Sequence, residues 1–369
     1  MIYLDYNATT PIDSSVAEAM LPYIYQHFGN PSSGHEFGVK AKVGVEKARG
    51  QIADLLGAAQ DELVFTSGGS ESNNTAIKGV AHSFKDKGTH IVTSQIEHPA
   101  VTNPCKFLES IGYTVTYLPV DGFGIVDPLD VERAITPRTI LVSIMHANNE
   151  TGSIQPSSEI SKICRKKGVL FHTDAAQSVG KIPVRVHELG VDLLTVAGHK
   201  LYAPKGIGAL YIRNGLSIEP LIHGAGHERG RRAGTENVAF AAGLGQACEI
   251  AGQYLGSSKM QQLTNDFYEK LAVLFGARLR LNGHPFLRLP NTLFLSFLGL
   301  SVQDIQKTLG DVAFSMGSAC HAGSTALSPV LKAMGVSGSE PMTTIRFSLG
   351  RHTTVKELDL VVERLAKLS

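Results

Sequence analysis

Between about residues 60 and 215 the chain alternates short β-rich runs with helical stretches, and this rhythm constrains the fold more than any other feature. The runs are ELVFTS, HIVTSQ, TVTYLPV, TILVSIMH, VLFHTD, DLLTVAG and GALYIR. Neighbouring parallel strands need a crossover between them, and a helix is the usual one, so the pattern predicts an α/β fold whose mainly parallel sheet is covered by helices on both faces. Helices are expected from His35 to Ala58 and from Glu236 to Leu255, the second rich in Ala and Gly and so closely packed. Beyond Gly256-Ser257-Ser258 the rhythm changes. An amphipathic helix from Met260 to Phe275 precedes three β-like runs, NTLFLSFLG, VAFSMGS and TIRFSLG, and a last helix opens with the capping box Thr354-Val355-Lys356-Glu357. This reads as a smaller α+β domain.

Bulk properties exclude several classes. Apolar residues make up 43% and charged residues 18% of 369, a globular composition that argues against disorder. Lys plus Arg (34) nearly cancels Asp plus Glu (33), so no net field favours nucleic acid or an anionic membrane, and the arginines 229, 231 and 232 read as a solvated or interface patch. No apolar run approaches the ~18 residues of a membrane span, and MIYLDYNATTP does not resemble a signal peptide. Four cysteines without a CxxC spacing fit a reducing compartment, hence a cytoplasmic location. A zinc site from His223 and His227 is disfavoured because HGAGH is too glycine-rich for the helix their spacing needs, so no metal is expected.

In an α/β sheet ligands gather beyond the carboxyl ends of the strands, so residues just after each β-run carry the information. FTSGGSESNN (residues 65–74) is a strand, a Gly-Gly turn and a helix start, either a phosphate cradle or only a capped turn. HTDAAQ puts Asp174 at a strand end, where it is either a helix cap or a buried carboxylate needing a cation. Lys200 follows the run DLLTVAG. A lysine there is often a surface residue, but beside an apolar strand end it can lose its proton and condense with an aldehyde. GSACHAGST places Cys320 in a loop with little to hold it rigid, next to His321, which could raise its thiolate fraction. The other cysteines, Cys105, Cys164 and Cys248, read as structural. IRFS puts Arg346 inside a β-run, where it must face a carboxylate of protein or ligand.

Taken in order, YLDYNATTP, FGNPSS, FTSGGSESNN, EHPAV, HANNETG, HTDAAQ, GHKLYAPKGIGALY, HGAGHERGRRAGTEN, RLPNT, GSACH and IRFSLGRHTT resemble the cysteine desulfurases of the NifS/IscS type and the related selenocysteine lyases. The resemblance implies fold type I of the pyridoxal 5'-phosphate enzymes, like aspartate aminotransferase. It implies a large cofactor-binding domain over residues 15–256, a small domain of 1–14 and 257–369 carrying the cysteine loop, and a homodimer. It further implies that Lys200 holds the cofactor covalently and moves the substrate α-proton, with Asp174 on the pyridine nitrogen. Gln177 and Asn149 would lie near the phenolic oxygen, and His98 would stack on the ring as a possible acid or base. Gly69, Ser70 and His199 would bind the phosphate, with Thr235 reaching in from the other subunit, and Arg346 helped by Asn30 would clamp the substrate carboxylate. L-cysteine would become L-alanine, its sulfur left on Cys320 as a persulfide for an acceptor such as an iron–sulfur scaffold or a tRNA-modification protein. Many desulfurases have Ser where Ala197 stands, one phosphate hydroxyl fewer here, and the AGHK form leaves L-selenocysteine open as the alternative substrate. Other readings are a fold type I aminotransferase or decarboxylase, in which Cys320 would be incidental.

Overall fold

The computed structural model describes residues 1–317, 327–336 and 342–369. In chain order its first elements are β1 (Ile2–Tyr3), α1 (Ser14–Tyr25), α2 (Glu36–Leu56), β2 (Leu63–Thr66), α3 (Gly69–Ser83), β3 (His90–Ser94), α4 (Pro99–Ser110) and β4 (Thr114–Leu118). There follow α5 (Pro128–Ala134), β5 (Thr139–Ser143), α6 (Ser157–Lys167), β6 (Leu170–Asp174), α7 (Val186–Leu189), β7 (Leu193–Ala197), β8 (Gly208–Ile212) and α8 (Val238–Tyr254). The remainder holds α9 (Lys259–Phe275), β9 (Leu279–Asn282), β10 (Thr292–Leu298), α10 (Val302–Leu309), β11 (Val312–Ala313), β12 (Ser315–Met316), α11 (Pro329–Ala333), β13 (Met342–Ser348) and α12 (Val355–Leu365). No described helix is long and apolar enough to cross a membrane.

All seven predicted runs join one sheet in the order β2-β8-β7-β6-β5-β3-β4, parallel except for β8, which is antiparallel to both neighbours. Successive residues along its strands enter different cores. Val92, Val142, Leu194 and Tyr211 pack on one face, while Ile91, Leu141, Leu193 and Leu210 pack on the other. Side chains alternate across a strand, so apolar residues at consecutive positions oblige helices to cover both faces. On the first face α2 and α8 approach closely, because a Cβ on Gly245 would lie 2.6 Å from the Ala48 Cα. The Ala and Gly content of α8 is thus a packing requirement.

A second sheet, β12-β13-β10-β9, is antiparallel, and a separate core of Phe267, Leu271, Leu293, Phe347 and Val361 fills its space against α9 and α12. The capping box of α12 forms, Glu357 N donating to Thr354 Oγ1 and Thr354 N donating to Glu357 Oε2. The expected single run VAFSMGS instead splits at Phe314, because its halves find different partners. β11 pairs in parallel with β1, and β12 pairs with β13. β9 was not expected, since LRLN is short and half polar. Ile2 and Leu4 lie in the second core. We propose that residues 15–256 form one domain and 1–14 with 257–369 the other, a division supported by the separation of the second sheet's core from those of the first.

The segment from His223 to Asn237 is held to the first domain by a buried ion pair. Arg49 of α2 donates through Nη1 and Nη2 to Glu228 Oε2 and Oε1 at 2.9 and 2.8 Å, and Phe65 N donates to Glu228 Oε2 at 2.9 Å. Both side chains are almost fully buried. Two of the three arginines read as a patch are also committed inward, Arg231 to Leu63 O and Arg232 to Glu71. Removing one member of a buried pair strands the other charge, so Glu228→Ala is expected to lower stability by about 3–5 kcal/mol in denaturant unfolding.

Candidate active site

The carboxyl ends of β6 and β7, the start of α3 and the N-terminal segment enclose a cleft of about 430 Å³. Gly69, Ser70, His98, Asn149, Asp174, Gln177, His199, Lys200 and Arg346 all line it. Nine of the twelve expected residues therefore converge. Asn30 and Thr235 do not line this chain's cleft: Asn30 accepts from Ser32 N in its own turn, and Thr235 is exposed on the loop before α8. Cys320 lies outside the described residues.

Asp174 is the last residue of β6 and only 6% exposed. Its Oδ1 accepts from Ala176 N at 2.9 Å and its Oδ2 from Asn73 Nδ2 at 2.6 Å, so it caps a turn and still faces the cleft. Among the described residues no cation stands within ion-pair distance of it. A buried carboxylate without a cation is costly, and one beside a cleft suits a ligand that brings a protonated nitrogen.

Lys200 ends the turn that follows β7. Its amine donates to Asn7 O at 2.6 Å and Ala8 O at 2.7 Å. Burial, then the Arg346 cation, pulls its pKa down to about 8, with Asp174 and Asp5 opposing. About a tenth of the amine is therefore unprotonated at pH 7, far more than for an ordinary lysine, and ready to attack an aldehyde. His98 caps α4 by accepting from Ala100 N through Nδ1. Although the residue is exposed at the cleft, the surrounding walls remove enough water to lower its pKa, against the pull of Asp174.

At the other end of the cleft, α3 begins without a side-chain cap. Gly68 adopts φ 145°, a region that suits glycine, and a Cβ on Gly208 would lie 2.7 Å from the Gly68 Cα, so β8 runs against the turn. The free N–H groups and dipole of α3 favour an anion. His199, with its pKa reduced to about 4 by burial and then by Lys200, is neutral there, its Nδ1 3.2 Å from Thr9 Oγ1. Arg346 donates to Asn149 O, Asp5 Oδ1 and Ser315 Oγ, each at 2.8 Å, while its Nε is buried without a partner. The carboxylate it was expected to face is Asp5, with a donor left over for a ligand.

Four participants escaped the sequence reading. Asn7 collects bonds from Gln177, Lys181, Lys200 and Asn291. Asn73 supports Asp174, and Asp5 holds Arg346. Glu97 lies under the loop before His98, its pKa pushed up to about 8 mainly by burial, and accepts from Ser94 Oγ and Met145 N. All four lie in YLDYNATTP, FTSGGSESNN or EHPAV, so position in a motif was the available signal.

The family model described as Aminotransferase class-V matches residues 2–361. The "Cysteine desulfurase IscS" of Dictyoglomus turgidum is 48% identical, with 100% of this chain and 94% of that protein covered. That of Methanosarcina thermophila is 46% identical over 98% of this chain and 90% of its own length. A solved NifS-like protein superposes with TM-score 0.92 at 38% identity, covering 100% of this chain and 98% of its own. The solved "SspA in complex with cysteine" gives 0.85 at 40% identity, covering 96% and 100%.

The amine's low pKa has a direct test. Reductive methylation of the cofactor-free protein at Lys200, followed by mass spectrometry, is expected to reach half its maximal rate near pH 8. Arg346→Ala removes a neighbouring cation and moves that midpoint up; Asp174→Asn removes an anion and moves it down.

Proposed function

Because the chain belongs to the aminotransferase class-V family, we propose that it is a pyridoxal 5'-phosphate-dependent cysteine desulfurase, converting L-cysteine to L-alanine and collecting the sulfur on Cys320. One observation carries the reading: a buried Asp174, with no cation in ion-pair distance among the described residues, and a weakly basic Lys200 occupy the carboxyl ends of adjacent strands in one cleft. That donor set fits the cofactor. Asp174 would hold the pyridine nitrogen protonated, Gln177 would donate to the phenolic oxygen with Asn149 beside it, and His98 would lie over the ring. Gly69, Ser70 and the start of α3, with His199, would take the phosphate. When bound, the cofactor supplies an electron-accepting ring.

The chain's own residues do the rest. Arg346 fixes the substrate carboxylate and so orients the Cα bonds. Lys200 takes the α-proton, for which a pKa near 8 suits neutral conditions. The Cys320 thiolate attacks the substrate sulfur: an S–S bond forms, the C–S bond breaks, and its electron pair stays with carbon, which after protonation leaves as alanine. Cys105, Cys164 and Cys248 are buried, and burial pushes each thiol up to about 12, so none competes as a nucleophile.

Cysteine is favoured over selenocysteine, since the relatives carry the cysteine name and one solved neighbour was obtained with cysteine. We propose a homodimer as well. Leu21, Ile24, Tyr25, Phe28, Phe37 and Val43 lie on or between α1 and α2 and are 45–74% exposed, a patch that suits a second copy. Exposed Thr235 is the residue that would reach the neighbouring cleft. Buried free thiols support a cytoplasmic setting, and an iron–sulfur scaffold or tRNA-modification protein would receive the sulfur.

With L-cysteine the protein is expected to form one alanine per sulfur transferred and to gain one sulfur atom at Cys320 by mass. Cys320→Ala should lose transfer by roughly three orders of magnitude. Transfer at the native rate would reject the assignment, and strong preference for selenocysteine in parallel alanine assays would reverse the choice of element.

A further inference from the structure

Lys181 lies four residues after Gln177, in no role assigned above. Its amine donates to Asn7 Oδ1 at 2.8 Å and to Gln177 Oε1 at 2.9 Å. Among the described residues no carboxylate pairs with it. Burial, then Lys200 and Arg346, holds its pKa well below the ordinary lysine value. A buried lysine with two amide oxygens for company is an expensive arrangement if its only task is packing.

Its effect follows from amide chemistry. A carboxamide has an accepting and a donating end that occupy nearly the same space, so only its partners decide which end faces where. The Lys181 amine carries hydrogens to donate, and both of its neighbours are amide oxygens. Gln177 must therefore turn Oε1 toward Lys181, which aims its NH2 the other way, where Nε2 reaches Asn7 O at 3.0 Å, the same oxygen that receives Lys200. Asn7 is oriented in the same sense. Its Oδ1 takes Lys181 and Asn291, and its Nδ2 donates to Asn149 O and Thr292 Oγ1. A single donor outside the cleft thus fixes two amides at its wall.

We propose that Lys181 is a positioning residue that locks the Gln177 carboxamide with its N–H groups toward the cofactor, and thereby sets how strongly the cofactor's phenolic oxygen and the Lys200 nitrogen retain their shared proton. The inference rests on the reading of Gln177 as the donor to that oxygen. An N–H aimed at the phenolic oxygen draws off charge that would otherwise hold the neighbouring proton. Without Lys181 the amide is free to flip, presents an acceptor instead, and the proton is held more tightly. His98, Asp174, His199, Lys200 and Arg346 also face this cleft, with Asp5 bonded to Arg346, and all are unchanged in the Lys181 and Gln177 variants below.

The test uses the protein loaded with pyridoxal 5'-phosphate and reads the pH midpoint at which its visible band changes form. Lys181→Met is expected to raise the midpoint by roughly one pH unit, the worth of one hydrogen bond to a charged group, while Lys181→Arg stays near the unsubstituted protein. In a Gln177→Ala background Lys181→Met should shift it by less than a third as much. If Lys181→Met does not fold, Lys181→Leu, which likewise cannot donate, is to show the rise. An unmoved midpoint overturns the proposal. So does an equal shift in the Gln177→Ala background, because the lysine would then act through space by its charge. A protein that takes up no cofactor, or keeps its band after Lys200→Ala, would instead refute the site assignment and leave Lys181 without a cofactor to act on.

Discussion

Asn7 O is the point on which the cleft depends, because one backbone carbonyl receives both Lys200 Nζ and Gln177 Nε2. A lysine pulled down to a pKa near 8 needs its amine held still without a full countercharge, and backbone carbonyls do that while leaving it able to lose a proton. An aspartate in the same place would fix the amine as a cation. Asn7 is in turn fixed by the second sheet, Ser348 Oγ of β13 accepting from its N–H and Thr292 of β10 and the preceding Asn291 bonding its side chain. The reactive amine therefore hangs on a carbonyl that the second sheet holds in place.

Much of this was legible in the sequence because the signals were local. Seven β-runs bounded by turn residues gave the large sheet, and double-sided apolarity explained why helices cover it. Asp174, Lys200 and Gly69 stood at strand ends, where α/β sheets gather ligands, and the resemblance supplied their partners. What stayed hidden depends on distance along the chain. β1 is two residues long and owes its existence to β11, more than three hundred positions away. Asp5 reads as one acidic residue in a polar stretch until Arg346 stands beside it. Lys181 resembles any lysine after a glycine, since neither periodicity nor spacing reveals that both its acceptors are amides. Glu97 is likewise silent in sequence, because its high pKa comes from burial.

Ala197 is the other departure with a physical reading. The family serine would add a hydroxyl at the end of β7, yet a Cβ on Gly69 would lie only 3.3 Å from the Ala197 Cβ. The turn and the strand end are in tight contact, so less room remains there for a larger side chain. The anion is then left to the free N–H groups of α3, Ser70 and a neutral His199, donors that do not titrate near neutrality.

The pairing of β1 with β11 also fixes an order of events during synthesis. Residues Ile2 to Asn7 find many of their partners near 290, 312 and 348, besides those Asn7 has at Asn149, Gln177, Lys181 and Lys200. The parallel sheet can assemble while the tail of the message is still being read, but the carbonyls that seat Lys200 come into register only when the carboxyl-terminal strands have emerged. A truncated nascent chain would thus carry a nearly complete scaffold and an unseated amine, so the capacity to hold an aldehyde arrives last.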